Sequence, residues 1–488
     1  MTHSQPTAGT KMTVPQLRDE IVGIDTRVPL LDGSMRRYVF LDNAASTPTF
    51  RRVLKCVEEF LPWYSGVHRG TGFKSIIATE VFDRAHEIAG EFVGADLSTN
   101  TVVFVKNTTE AINKISNRMG FKPDDLVITT AMEHHSNDLP WRKNARVIHI
   151  GIVEDGSLDI ESLREALRHH AGKVRLVAIN GASNITGICN PIHDIAEWAH
   201  EAGAMIFVDA AQLVPHRRVD MLPDNDPRHI DFIAYSAHKM YAPFGTGVLI
   251  GPKKIFREGE PDMVGGGTVE VVSLDEVYWT APPLKEEAGS PNIVGGIALA
   301  EAITILQEVG LDAIADHEHR LLEYAYGRMK RIPDVILYGP TENLCDKVGV
   351  IAFNVRETHH ALVASVLSTE GGIGVRNGCF CAHPYVKKLL KLPPEEEKVL
   401  EKEMLSGVKA NIPGMVRASF GCYTNEADID AFVEMLEKIV RREYRGSYVM
   451  DPATGVFLPD GFTIDVRKYF PFYHAGEPSM ERRFSESA

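Results

Sequence analysis

An α/β fold, with a mostly parallel sheet in a large domain and a smaller α+β domain after it, is predicted by three observations. Short apolar, β-rich runs alternate with helical patterns from about residue 100 to 250. The pattern changes after the Gly265-Gly-Gly267 and Ala288-Gly-Ser-Pro-Asn292 loops. The chain has 488 residues, enough for two or three domains and a substantial core.

The elements follow in order. Strands are read at 101–105, 126–129, 146–150, 175–180, 205–209, 232–235 and 247–250, with helices such as 161–169 and 192–202 between them. Apolar strands separated by helices imply a parallel sheet covered on both faces, and such a sheet collects ligands at the carboxyl ends of its strands. One long helical stretch is expected over 296–330, a strand at 348–355 and a helix at 360–368. A strand at 415–420 and a closing helix at 426–445 complete the second domain. The domain boundaries expected are an N-terminal segment 1–37, a large domain 38–295 and a small domain 296–445. An insertion lies near 386–413, a charged surface excursion with one or two short helices, and an extension at 446–488 shows no clear period. The first twelve residues are polar and expected to be mobile.

Composition excludes several function classes. The chain is 44% hydrophobic and 24% charged with net charge −14, so nucleic acid, which selects basic surfaces, is not an expected partner. No apolar run is long enough to span a bilayer, and no basic segment precedes an apolar run at the start. Six cysteines, at 56, 189, 345, 379, 381 and 422, are too few and too irregular for a secreted disulfide framework. A cytoplasmic enzyme is the expectation.

The chemistry centres on Lys239, in Tyr235-Ser-Ala-His-Lys239, and on Asp209, which ends the apolar run 204–209. A surface lysine is the bland reading. A glycine-punctuated turn directly after a buried strand argues instead for a buried, nucleophilic amine. Asp209 reads as a helix N-cap or as the partner of a protonated pyridine nitrogen. Together a Schiff-base lysine and such a carboxylate point to pyridoxal 5'-phosphate. Gln212 is a candidate for the ring hydroxyl. Asn107-Thr-Thr-Glu110 opens a helix after a strand, so Thr108 and Thr109, helped by Ser236 and His238, are candidate phosphate ligands, while Asn107 with Glu110 is a plausible capping box.

His134, in Glu133-His-His-Ser-Asn137, reads as a ring-stacking partner and proton carrier; the His pair lacks a third metal ligand, and no metal is expected. Cys379 and Cys381 follow the glycine-rich run 371–378. They read as small buried hydrophobes, as part of a weak metal cluster, or as a reactive thiolate on an exposed loop. The other four cysteines lie in apolar or element-like contexts and read as structural. Arg417, in a strand-like run, reads as a clamp on a substrate carboxylate or as half of an internal ion pair.

These motifs, with Asp42-Asn-Ala-Ala45, Val67-His-Arg-Gly70, Ser183-Asn184, Ala288-Gly-Ser-Pro-Asn292 and Arg376-Asn-Gly378 through Cys381, make the chain resemble the group II cysteine desulfurases and selenocysteine lyases, of the class V aminotransferase fold. The likeness runs from about 38 to 445. It implies a PLP-dependent transferase and a homodimer with its sites at the interface. It also implies that Ser290 reaches the partner's cofactor phosphate, that Asn184 contacts the ring oxygen, and that Arg376 helps Arg417 hold the substrate. Cys379-Phe380 stand where the family usually has two histidines, and about twenty extra residues precede Arg417.

The activity so implied is conversion of L-cysteine to alanine, with Lys239 moving the α-proton, His134 managing protons and Cys381 taking the sulfur as a persulfide for an acceptor protein. The rivals are cleavage of selenocysteine or cystine, a class V aminotransferase on another amino acid with Cys381 not catalytic, and a non-catalytic scaffold.

Overall fold

The computed structural model describes residues 12–470. The expectation of a mobile start lies, except for Met12, outside them, as does the tail from 471 on. A seven-stranded sheet forms the centre. Its strands are β1 (Asn100–Val105), β2 (Leu126–Thr130), β3 (Arg146–Ile150), β4 (Val174–Asn180), β5 (Met205–Asp209), β6 (Phe232–Ser236) and β7 (Gly247–Pro252). The order is β1-β7-β6-β5-β4-β2-β3. Neighbours are parallel except at β7, which runs antiparallel to both β1 and β6. Five strands therefore end on one edge with β1. Nearly every residue of β1, β2, β4, β5 and β6 is buried, as expected for a sheet covered on both faces.

Ten helices matter for the layers: α1 (Phe73–Phe92), α2 (Thr108–Arg118), α3 (Ile160–His169), α4 (Ile192–Glu201), α5 (Ile293–Val309), α6 (Leu311–Met329), α7 (His360–Gly371), α8 (His383–Leu389), α9 (Pro394–Leu405) and α10 (Glu426–Val440). A second, four-stranded sheet of β8 (Val335–Tyr338), β9 (Val350–Val355), β10 (Arg376–Gly378) and β11 (Met415–Ser419) has the order β8-β9-β11-β10 and is antiparallel throughout. Helices α6, α7 and α10 bury Leu322, Val363, Val366, Phe432 and Leu436 in its core.

Three expectations need correction. The helical stretch 296–330 is two helices, α5 and α6, bent by 75° at Gly310, whose φ of +94° is left-handed backbone that glycine tolerates. The insertion 386–413 is not wholly a surface excursion. Helix α8 buries Tyr385, Val386 and Leu389, whereas α9 buries nothing. The closing helix stops at Val440, before Arg442 at φ +56°. The extension, without a legible period, contains a hairpin of Tyr448–Met450 and Phe457–Pro459 that docks on α7 through a hydrogen bond from Ser365 to the Phe457 carbonyl. Among the described residues no single helix is long and apolar enough to cross a membrane, and the bent α5–α6 pair that together has that composition is core here, with most of α5 buried.

Close approach fixes one glycine. A Cβ at Gly247, at the start of β7, would lie 2.6 Å from the Asn107 Cα, inside the turn that opens α2. Gly327, on the exposed face of α6, has open space where a Cβ would go. Gly247→Ala is expected to lower stability by about 1–3 kcal/mol through forced backbone displacement, and Gly327→Ala to raise it by about 0.5–1 kcal/mol. Urea-unfolding midpoints check both.

Candidate active site

The carboxyl-terminal edge of the large sheet opens into a cavity of about 240 Å³. Strand β5 ends in Asp209, and β6 leads through Ser236 into the 3-10 turn Ala237–Lys239. The turn after β2 carries His134, that after β4 carries Asn184, and β1 leads into Thr108 and Thr109. The second sheet adds Arg376 and Arg417, and the loop after β10 adds Cys381. All of these, with Gln212 and His238, line the same cavity. Of the site residues expected from sequence, only Ser290 is elsewhere. It is exposed, on the loop before α5, outside this cavity.

Asp209 is buried, and its carboxylate accepts one hydrogen bond, from the Ala211 N–H at 3.0 Å. Burial raises its pKa, partly countered by that bond and by the charge of Lys239. Lys239 is half-buried and lines the cavity. Protein packed around the amine brings its pKa down to about 8, against the pull of Asp209. Burial likewise brings both His134 and His238 down to about 4, the charge of Lys239 adding to it. Both imidazoles are therefore neutral at pH 7. The Ser136 backbone N–H donates to His134 Nδ1, so the ring proton sits on Nε2.

At the other end of the cavity, Asn107 caps α2 by accepting from the Glu110 N–H at 3.0 Å. The reciprocal bond of the expected capping box is displaced by one residue, since Glu110 accepts from the Lys106 N–H. Thr108 gives its N–H to the Ser236 hydroxyl at 2.9 Å, and Thr109 pairs with the Ser136 hydroxyl. This cluster of hydroxyls at a helix amino terminus suits an anion. Gln212 donates to the Ala44 carbonyl, and Asn184 to the Phe380 carbonyl, so both amides already brace the cavity wall.

Arg417 is buried and joined to Asp42 at 3.0 Å, and Arg376 reaches the other oxygen of the same carboxylate at 2.7 Å. The internal ion pair weighed for Arg417 is thus present, yet its Nε is buried without a hydrogen-bond partner. The guanidinium also lies 5.0 Å from the Phe380 ring centroid. A carboxylate entering the cavity would find a cation that Asp42 only partly satisfies.

The two loop cysteines separate. Cys379 is half-buried, donates to the Pro413 carbonyl, and has its thiol pushed up to about 11 by burial. Cys381 is exposed at the rim of the cavity that Lys239 and Arg417 also line. Phe380 and Cys381 both have left-handed backbone, φ +50° and +54°. Three hydrogen bonds hold this strained turn: Asn184 to the Phe380 carbonyl, the His135 N–H to the Cys381 carbonyl and the Ala382 N–H to the Cys379 carbonyl. Of the four cysteines read as structural, Cys422 is buried, and Cys56 and Cys189 are partly so. Cys345 is exposed in the β8–β9 connection, contrary to expectation.

Sequence reasoning assigned no role to Asp42, Phe380 or Glu133. Glu133 is buried behind the cavity, accepts from the Thr130 hydroxyl, from the Asn137 amide and from the Asn180 N–H and amide, and is pushed up to about 8 by burial. Its place beside His134 in the chain was the available signal. Asp42 stood in one of the motifs, but nothing local pointed to its role, since its partners lie 334 and 375 positions away.

A family model described as Aminotransferase class-V matches residues 39–432. A probable cysteine desulfurase of Halalkalibacterium halodurans is 34% identical, covering 86% of this chain and 97% of the relative. A cysteine desulfurase of Haloferax volcanii is 35% identical over 82% of this chain and 88% of its own length. Among solved structures, the apo cysteine desulfurase of Thermococcus onnurineus superposes with a TM-score of 0.75 at 32% identity, covering 88% of this chain and 99% of that one. The match from before Asp42 to beyond Arg417 takes in all the cavity-forming elements, and the chain belongs to the aminotransferase class-V family.

Proposed function

We propose that this protein is a pyridoxal phosphate-dependent cysteine desulfurase that converts L-cysteine to L-alanine and carries the sulfur as a persulfide on Cys381. The observation that carries the reading is an exposed thiol, on a braced and strained turn, at the rim of the cavity that holds the half-buried Lys239 and the buried Asp209. Relatives that bear the desulfurase name support it.

The donor set fits the cofactor. Lys239 would hold its aldehyde carbon, Asp209 its ring nitrogen, and Thr108, Thr109, Ser236 and His238 its phosphate, with His134 stacked on the ring and Asn184 and Gln212 near the ring oxygen. When bound, the group supplies an electron sink for the substrate α-carbon. The residues do the rest. Arg417, held by Asp42, orients the substrate carboxylate with the help of Arg376. Lys239, neutral in a large fraction of molecules near pH 8, takes the α-proton. The Cys381 thiolate attacks the substrate sulfur, forming the S–S bond as the substrate C–S bond breaks. The carbon keeps that electron pair and is protonated, so the product leaves as alanine. His134, with its proton on Nε2, is placed to hand it on within the cavity.

A homodimer belongs to the same reading. Ser290 lies outside its own chain's cavity, as suits a residue that reaches the partner's phosphate. Nearby in sequence to α1, the exposed apolar side chains Leu61, Trp63, Tyr64, Phe73 and Ile76 offer a face for a second copy. An acceptor protein for the sulfur, and a cytoplasmic location in which the six free thiols stay reduced, complete it.

Borohydride treatment of protein loaded with pyridoxal phosphate is expected to fix the ring to Lys239. The rate of cofactor uptake by the empty protein should rise with pH around a midpoint near 8, because only the neutral amine attacks an aldehyde. Uptake without a label on Lys239 defeats the assignment. Cys381→Ala should keep the cofactor absorbance yet lose sulfur transfer from cysteine by at least ~100-fold. Mass spectrometry after exposure to L-cysteine should place one added sulfur on Cys381 of the natural chain; unchanged sulfide release by the variant refutes the thiol's role. Assays of alanine from cysteine, cystine and selenocysteine separate the rival substrates. Asp42→Asn strips the buried Arg417 of its counter-charge and should cost about 3–5 kcal/mol, whereas Arg376→Gln, at a half-exposed arginine, should cost under about 1 kcal/mol. Urea unfolding distinguishes them.

A further inference from the structure

At the amino-terminal edge of the large sheet, opposite the cavity, His200 at the end of α4 meets His229 and Asp231, the last residue before β6. The Nδ1 of His200 lies 2.7 Å from the Pro227 carbonyl, and that of His229 lies 2.7 Å from the Asp226 carbonyl. A carbonyl only accepts, so each Nδ1 carries the ring proton and each neutral imidazole presents a lone pair at Nε2. Both lone pairs are turned toward the same carboxylate, His200 Nε2 at 3.0 Å from one oxygen of Asp231 and His229 Nε2 at 3.5 Å from the other. With both rings neutral, acceptors are aimed at acceptors, a conflict that either protons on Nε2 or a metal ion among them removes. Filling the gap with two protons sets two imidazolium rings face to face, since the rings stack at 4.2 Å and 19°, on a carboxylate that already accepts the Ile206 N–H; the hydrogen bond to Asp231, with the charges of Asp231 and Asp224 adding to it, raises the His229 pKa against that repulsion.

We propose that His200 Nε2, His229 Nε2 and the Asp231 carboxylate bind one divalent transition-metal ion of the zinc class. The candidate ligand atoms all lie within 4.8 Å of one another. Bonds of about 2.0–2.1 Å in a tetrahedral site require spacings of roughly 3.3 Å, so only small side-chain shifts are needed. A ring whose far nitrogen donates to a backbone carbonyl is the usual arrangement of a metal-bound histidine, because that bond fixes the tautomer and the ring plane. Two nitrogens and a carboxylate without thiolate favour Zn²⁺ or Co²⁺ over Cu⁺ or Mg²⁺. Both histidines are part-exposed, so the ion has a way in and a water can take the fourth position. The ion would clamp the end of α4 and the connection 220–231 to the base of β5 and β6, the two strands whose far ends carry Asp209 and Lys239. Its role is to anchor them, not to take part in the reaction. The sequence shows no such site because the ligands spread over 31 positions.

The test uses the purified full chain, cleared of metal with a chelator and titrated with Zn²⁺ against a chromophoric competitor and with Co²⁺ by visible absorption. One ion per chain is expected, with a Co²⁺ spectrum lacking thiolate charge-transfer bands and a higher thermal midpoint on Zn²⁺ addition. His200→Gln and His229→Gln should each weaken binding by at least ~10-fold and abolish the thermal shift, with unchanged circular dichroism. No stoichiometric binding, a thiolate band, or binding unaltered in either variant would overturn the proposal. Should one variant fail to fold, the other and the Co²⁺ spectrum of the natural chain still decide it.

Discussion

The parallel pairing of β5 with β6, which sets Asp209 opposite Ala234, is the constraint on which the cavity depends. Parallel strands open on the same edge, so the strand that ends in the carboxylate and the strand that leads into the lysine deliver both groups to one place. The next pairing sets Asn180 opposite Asp209, and Asn180 in turn holds Glu133. Three titratable groups thus share one poorly hydrated region. Burial outweighs the attraction of Asp209 and draws the Lys239 amine from 10.5 to about 8. That shift corresponds to about 3 kcal/mol of stability set against the empty fold. Its sign is fixed: between about 8 and 10.5 the unfolded chain binds the extra proton, so the empty protein gains stability as pH rises through that window. Converting the amine to a bond with an aldehyde carbon relieves that penalty. The same burial that makes Lys239 reactive therefore also favours retention of a partner for it.

A second constraint joins the sheets. Arg376 and Arg417 stand directly opposite each other on β10 and β11, an arrangement of like charges that destabilises neighbouring strands. Asp42 removes the conflict by giving one oxygen to each guanidinium. The same stretch of chain is pinned by the Ala44 N–H to the Ser419 hydroxyl and by the Asn43 amide to the Ser419 carbonyl. The segment before the large sheet is thus bound to the second sheet through the charge it neutralises. One carboxylate shared by two cations, with Arg417 Nε left over, leaves the pair short of negative charge in a way that an amino-acid carboxylate would supply.

What was legible in the sequence follows from this geometry. Asp209 ends its strand, and His134, Asn184 and Lys239 follow strand ends, which are marked locally by apolar runs that stop. Reading those runs was enough to bring Asp209, His134 and Lys239 together, whereas Asn184 entered only through the family resemblance. Asp42 and Phe380 act through contacts that no local pattern encodes. The break between α5 and α6 was hidden because Gly310 interrupts an otherwise continuous apolar period, and its left-handed φ is a property of the folded chain. The hairpin in the extension was illegible because its strands are three residues long, too short for alternation to register. In α8 the charged neighbours Lys387 and Lys388 masked an inward face whose Tyr385 hydroxyl donates to the Gly156 carbonyl.

The contrast between Cys379 and Cys381 shows that position, not residue type, decides which thiol is available for chemistry. Two residues apart, they are separated by a left-handed turn that reverses their exposure. A residue with positive φ that is not glycine persists only where its surroundings over-determine it. Here the surroundings are the turn after β2, through His135, and the turn after β4, through Asn184. Those are the turns that also carry His134 and part of the cavity wall, so the loop that bears Cys381 is registered to the large sheet and not merely to its own. In the proposed reaction, a thiol that takes sulfur from a substrate inside the cavity and passes it to an acceptor outside must stand at the rim and hold a defined place there. Strain at Phe380 and Cys381, balanced by hydrogen bonds from the elements that form the cavity, satisfies both demands.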